Sequence, residues 1–156
     1  MKKLLLSLVF MINCFIGYSQ TVITDENFDK KVTNGEAFGD EEYSIIVVEF
    51  WASFNDANAF NEWDKLKGCK YYRVDISKSP KAKKEHNVRT IPHIIIFKDG
   101  EDSKHFKAGI GFTLDATLEE IQEVIDVVIN DIIYNSFVWV VLGSFGIAEA
   151  GKIFKK

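Results

Sequence analysis

A chain of 156 residues with 47% apolar and 13% aromatic residues has the material for one packed domain, and that composition excludes a disordered protein. Its 19 basic and 23 acidic residues leave a formal charge of −4, which argues against a nucleic-acid partner, because that partnership depends on clustered basic residues.

The first nineteen residues read as an export signal rather than as part of the core. Met1-Lys2-Lys3 is basic, Leu4 to Ile16 is apolar, and Gly17-Tyr18-Ser19 supplies small residues for cleavage before Gln20. Its removal takes away two lysines and no acid, so the formal charge becomes −6. Cys14 leaves with it and Cys69 becomes the sole cysteine, so no internal disulfide can form. A second reading makes Cys14 a lipid-modified cysteine, but Asn13 stands where such signals place a small residue.

The expected domain covers residues 20–132. Thr21 to Thr24 predicts a short strand, and Thr24 or Asp25 caps a short helix through Val32. Asn34 to Glu42, with Gly35, Gly39 and several acids, predicts a solvated loop. Tyr43 to Trp51 is β-branched and aromatic without a polar face, which suits a strand covered on both sides. Asn55-Asp56 can then cap a helix running to Lys67, with Ala57, Phe60, Trp63 and Leu66 on its apolar face. Tyr71 to Ile76 predicts another strand, and Ser77 or Ser79 a cap for a basic helix opened by Pro80 and ending at His86. Ile94 to Phe97 is a buried strand, Asp99-Gly100 a hairpin turn, and Asp102 to Lys107 its return strand. Thr117-x-x-Glu120 is a capping box before Leu118, Ile121, Ile125, Val128 and Ile132, which share one helical face.

Phe50-Trp51-Ala52-Ser53-Phe54 resembles the approach to the active site of the thioredoxin family, and Thr90-Ile91-Pro92 before the strand Ile94 to Phe97 resembles its second motif. The resemblance implies a thioredoxin fold: an α/β domain with a central mixed sheet flanked by helices. It also implies a cis Pro92, with Ile91 offering backbone hydrogen bonds to an extended peptide. The family's next residues after the approach are Cys-x-x-Cys; here they are Asn55, Asp56, Ala57 and Asn58. Disulfide exchange needs one thiolate to attack and a second thiol to resolve the mixed disulfide, and neither asparagine can do either. Glu49 stands where many relatives carry a buried acid beneath the cysteines. It reads as a proton carrier in an enzyme and as a structural hydrogen-bond group otherwise.

The resulting expectation is an exported protein of the bacterial periplasm or cell envelope. It has lost its redox chemistry, needs no cofactor, and binds protein or extended peptide in a groove of Phe54, Asn55, Asn58, Ile91, Pro92 and His93. An atypical oxidoreductase working through the free thiol of Cys69 with a partner's thiol is the competing class, and a structural subunit of an envelope complex is a third. His86, His93 and His105 show no zinc-ligand spacing, so no metal is expected. Residues 133–156 form an extra apolar C-terminal helix with a basic end. Residues 132–148 reach the lower limit of a membrane span and are followed by Lys152, Lys155 and Lys156, so the segment reads equally as a membrane anchor and as a helix folded onto the domain.

Overall fold

A computed structural model of the chain describes residues 20–33 and 45–144. The export signal, the acidic loop, the start of the strand expected at Tyr43, and the segment from residue 145 onward lie outside the described residues.

Five strands make one sheet in the order β1-β3-β2-β4-β5: β1 Thr21–Ile23, β2 Ile45–Trp51, β3 Lys70–Asp75, β4 His93–Lys98 and β5 Glu101–Lys107. The first three are mutually parallel, and β4 runs antiparallel to both of its neighbours, β2 and β5, so the sheet is mixed. β2 sits at the centre, and Ile45 through Phe50 are buried on both faces. That is why its sequence shows no alternation. On one face Ile46, Val48, Phe50, Ile95 and Phe97 pack against Phe28, Val32, Ala82 and Val88. On the other, Ile45, Val47, Ile94 and Ile96 pack against Phe60, Ile121, Ile125 and Val128.

The helices that cover the first face are short. Helix α1, Asp25–Phe28, widens into a π-type turn over Asp29–Thr33, and helix α2 is Pro80–Glu85. Ser79 stands at the expected N-cap position of α2, but its side chain makes no capping hydrogen bond. Instead the Asp25 carboxylate accepts the amides of Lys81 and Ala82 at 2.9 Å each, so α1 caps α2 across the fold while satisfying the first-turn donors. Asp99 (φ 52°) and Gly100 (φ 83°) make the left-handed turn that their sequence predicts between β4 and β5.

The helix expected from Asn55 to Lys67 does not form. Its place is taken by two 3₁₀ turns, Ser53–Asn58 and Trp63–Lys65, with an extended link beginning at Ala59 (φ −63°, ψ 152°). The reason lies beneath it: buried Glu49 accepts the amide of Phe60 at 2.8 Å. An amide held by a carboxylate 11 residues away cannot also close a helical turn. Ala57 is therefore exposed, while Phe60 is still driven into the core.

Helix α3, Leu118–Ser144, begins at the expected capping box: Glu120 accepts the Thr117 amide at 2.8 Å, and the Thr117 hydroxyl accepts the Glu120 amide at 3.3 Å. Its packing on the sheet ends near Ile132, and Ile133, Tyr134 and Phe137 beyond that point are exposed. Among the described residues no helix is long and apolar enough to cross a membrane.

Candidate functional site

At the C-terminal end of β2 the chain turns through Ala52 into the 3₁₀ turn that carries Asn55 and Asn58. The Ile91–Pro92 bond before β4 is cis, and both residues are buried beside this turn. The Asn55 side-chain amide donates to the Ile91 carbonyl at 3.1 Å and to the Phe112 carbonyl at 3.0 Å. Its oxygen accepts from the Asn58 amide at 2.7 Å. Three segments distant in sequence are thereby joined by one side chain: the turn, the cis-prolyl loop, and the bend of residues 109–113. The bend could not be assigned to the site from sequence, because Phe112 occupies a left-handed conformation (φ 56°) that bulky residues rarely signal.

Around this staple lie exposed apolar side chains: Phe54 at 78%, Ile110 at 101% and Phe112 at 51%. Of the residues expected to line a groove, only Phe54 is prominent. Asn55 and Asn58 are half-buried, and Ile91 and Pro92 are buried. His93 is fully buried, its ring directed toward His105 and Phe50, so it adds no surface.

Beneath the turn, Glu49 is completely buried. Besides the Phe60 amide it accepts the Tyr71 hydroxyl at 2.8 Å, and Arg73 Nε stands 2.9 Å away as an ion pair. Burial raises the Glu49 pKa, opposed by the Phe60 amide, the Arg73 charge and Tyr71. The Arg73 guanidinium also stacks on Trp51 at 4.1 Å, donates to Gln20 at 2.7 Å and reaches Asp56 at 3.3 Å. Every oxygen of Glu49 is thus engaged by the scaffold. Cys69 is half-buried just before β3, whose first residue Lys70 pairs with Ile46, at the end of β2 away from the turn; it packs with Tyr71 and Trp63, and burial pushes its thiol up to about 12.

A second polar cluster had no sequence signature. The strand register slips by one at Ile96/Phe97, so that Ile96 pairs with Lys104 but Phe97 with Asp102. The extra residue, Ser103, brings Asp102 onto the same face as His105. His86 Nδ1 then stands 2.9 Å from Asp102 Oδ1, His105 Nε2 lies 3.3 Å from Asp102 Oδ2, and His105 Nδ1 meets His93 Nε2 at 3.0 Å. His93 and His105 share this one hydrogen bond, in which one ring donates and the other accepts according to the tautomer. The other ring nitrogen of His93, Nδ1, is buried without a partner among the described residues. Burial, His105 and Lys107 push the His93 pKa down to about 4. Among the described residues no group of three or more His, Cys, Asp or Glu side chains is placed to hold a metal ion.

The mixed five-stranded sheet and the cis proline beside a strand-to-turn junction define an α/β module of the thioredoxin type. The sequence profile of the thioredoxin family matches residues 19–123, more than half of the chain. The chain belongs to the thioredoxin family. It is 32% identical over 78 residues to Thioredoxin-2 of Pyricularia oryzae, covering 45% of this chain and 46% of that protein. It is also 28% identical over 120 residues to chloroplastic Thioredoxin M5 of Oryza sativa subsp. japonica, covering 70% of this chain and 64% of the relative. With the thioredoxin of Rickettsia felis it shares 30% identity over 95 residues, 56% of this chain and 83% of that one. It therefore spans less than two thirds of the length of the first two relatives. Among solved structures, a mutant thioredoxin from Halobacterium salinarum superposes with a TM-score of 0.51 at 10% identity, covering 71% of this chain and 95% of that one, a likeness of fold.

Proposed function

We propose that this member of the family is an exported binding module that has lost thiol–disulfide exchange and engages a protein or extended peptide at the cis-prolyl end of the sheet. The observation that carries the reading is the state of Asn55 and Asn58. They stand where the family's sulfurs would be, and their amides are committed to holding loops together. An amide is neither nucleophile nor redox group at neutral pH, whereas a backbone edge flanked by exposed Phe54, Ile110 and Phe112 retains the means to bind. Cys69 supports the enzyme alternative poorly, because a thiol held near 12 is almost wholly protonated at pH 7.

The test is catalysis of insulin disulfide reduction by dithiothreitol. The protein freed of residues 1–19 leaves the uncatalysed rate unchanged, and so does its Cys69→Ser variant. Catalysis that Cys69→Ser abolishes refutes the reading in favour of the oxidoreductase.

The proposed location is the bacterial periplasm or cell envelope, with the C-terminal segment as the anchor. The support is that α3 runs past the sheet with Ile133, Tyr134 and Phe137 uncovered, and that the sequence to Ala148 is apolar apart from Asn135, Ser136 and Ser144, with Lys152 beyond it. Retention through an alkaline carbonate wash, lost on truncation after Asn135, is the expected result. Release of the intact chain into the wash excludes the anchor.

A further inference from the structure

We infer that Asn55 is the groove's own occupant, holding the Ile91 carbonyl that an incoming extended segment would use, so that a protein partner binds by displacing this side chain. The inference rests on the binding reading above and concerns how that site is regulated.

A chain that adds to an exposed backbone edge pairs with both the N–H and the C=O of the residue it meets. At Ile91 these two groups differ. The carbonyl already accepts from Asn55, while the N–H has no acceptor among the described residues. One of the two pairing groups is taken and the other is unpaired. Asn55 is well held in the filling position: both of its donor hydrogens and its oxygen have partners. The same amide holds the Phe112 carbonyl, so its release frees the 109–113 bend as well as the edge. That bend carries Ile110 and Phe112, whose exposed side chains, with Phe54, are the apolar surface a bound segment would cover. The occupant fitted by these features is an extended polypeptide that offers a backbone acceptor to the Ile91 N–H and a donor to its carbonyl. Large apolar side chains on that polypeptide would meet Phe54 and the bend.

The probe is reduced, carboxymethylated lactalbumin, a permanently unfolded chain, titrated into the wild-type protein and the Asn55→Ala, Asn55→Asp and Phe54→Ser variants. Asn55→Asp keeps the shape and removes the donors, so it serves where the alanine variant folds poorly. Both position-55 variants bind on the order of fivefold to tenfold tighter, the loss of about one competing hydrogen bond, and Phe54→Ser binds more weakly. Carbonyl ¹³C shifts give a readout that does not depend on affinity. Ile91 and Phe112 move upfield in the free Asn55→Ala protein, and they leave their free-protein values in the wild type saturated with the probe as the Asn55 amide protons shift. Wild-type affinity in both position-55 variants, with weakened binding by Phe54→Ser, overturns the displacement while leaving the groove intact. Asn55 amide signals unmoved in the complex overturn it as well. No binding by any protein, or equal binding by all four, refutes the groove itself and the inference with it.

Discussion

His93 offers a quantitative check on the buried histidine cluster. In the folded protein its Nε2 stands 3.0 Å from His105 Nδ1, and its Nδ1 has no partner among the described residues. A proton added there would sit buried and unbonded, facing the charge of Lys107 and the rings of His86 and His105, with only Asp102 opposing them. The pKa accordingly falls from the ordinary 6.5 to about 4. The unfolded chain takes up this proton near pH 6.5 and the folded one not until about pH 4. Between these values the unfolded state binds more protons, so stability declines as pH falls through the window. Each unit corresponds to about 1.4 kcal/mol, and the whole window to about 3 kcal/mol. The carboxylates titrate near its lower end, so the informative quantity is the difference between wild type and His93→Gln, which keeps a donor for His105. Urea unfolding at half-unit steps from pH 7.5 to 4 should show the wild type losing about 3 kcal/mol more than the variant, chiefly between pH 6.5 and 4. Parallel pH profiles for the two proteins would refute the argument.

Two further outcomes follow from contacts that only the folded chain makes. Glu49→Ala strands the Phe60 amide, the Tyr71 hydroxyl and the Arg73 charge together, and should cost about 3–5 kcal/mol. Glu49→Gln, which keeps an acceptor for Phe60, should cost clearly less, and equal losses in urea unfolding would show that the acceptor is unimportant. A methyl group at Gly100 would lie 2.6 Å from the Thr33 carbonyl oxygen at φ 83°, so Gly100→Ala should lose about 2 kcal/mol. Gly111→Ala meets only the Thr113 hydroxyl at 3.6 Å and should stay within about 0.5 kcal/mol of wild type; similar thermal shifts for both would contradict this packing.

What the sequence by itself determined is what local chemistry controls. The unbroken apolar run of β2 specified a strand buried on both faces, and Asp99-Gly100 specified its left-handed turn. Thr117 and Glu120 specified the start of α3, and the absence of sulfur at residues 55 and 58 was legible without coordinates. Each of these depends on a few neighbouring residues, so pattern suffices. Other features were decided by groups far apart in the chain. The helix promised after Asn55 gives way because Glu49 takes the Phe60 amide from below. The cap of α2 comes from Asp25 rather than from its own serines. His86, Asp102 and His105 meet only because one extra residue in β5 turns Asp102 to their face. Asn55 reads in sequence as a helix cap, and only the folded chain brings the Ile91 and Phe112 carbonyls within its reach. A buried donor or acceptor takes whichever partner the packed chain brings within about 3 Å, and that choice carries no local sequence signature.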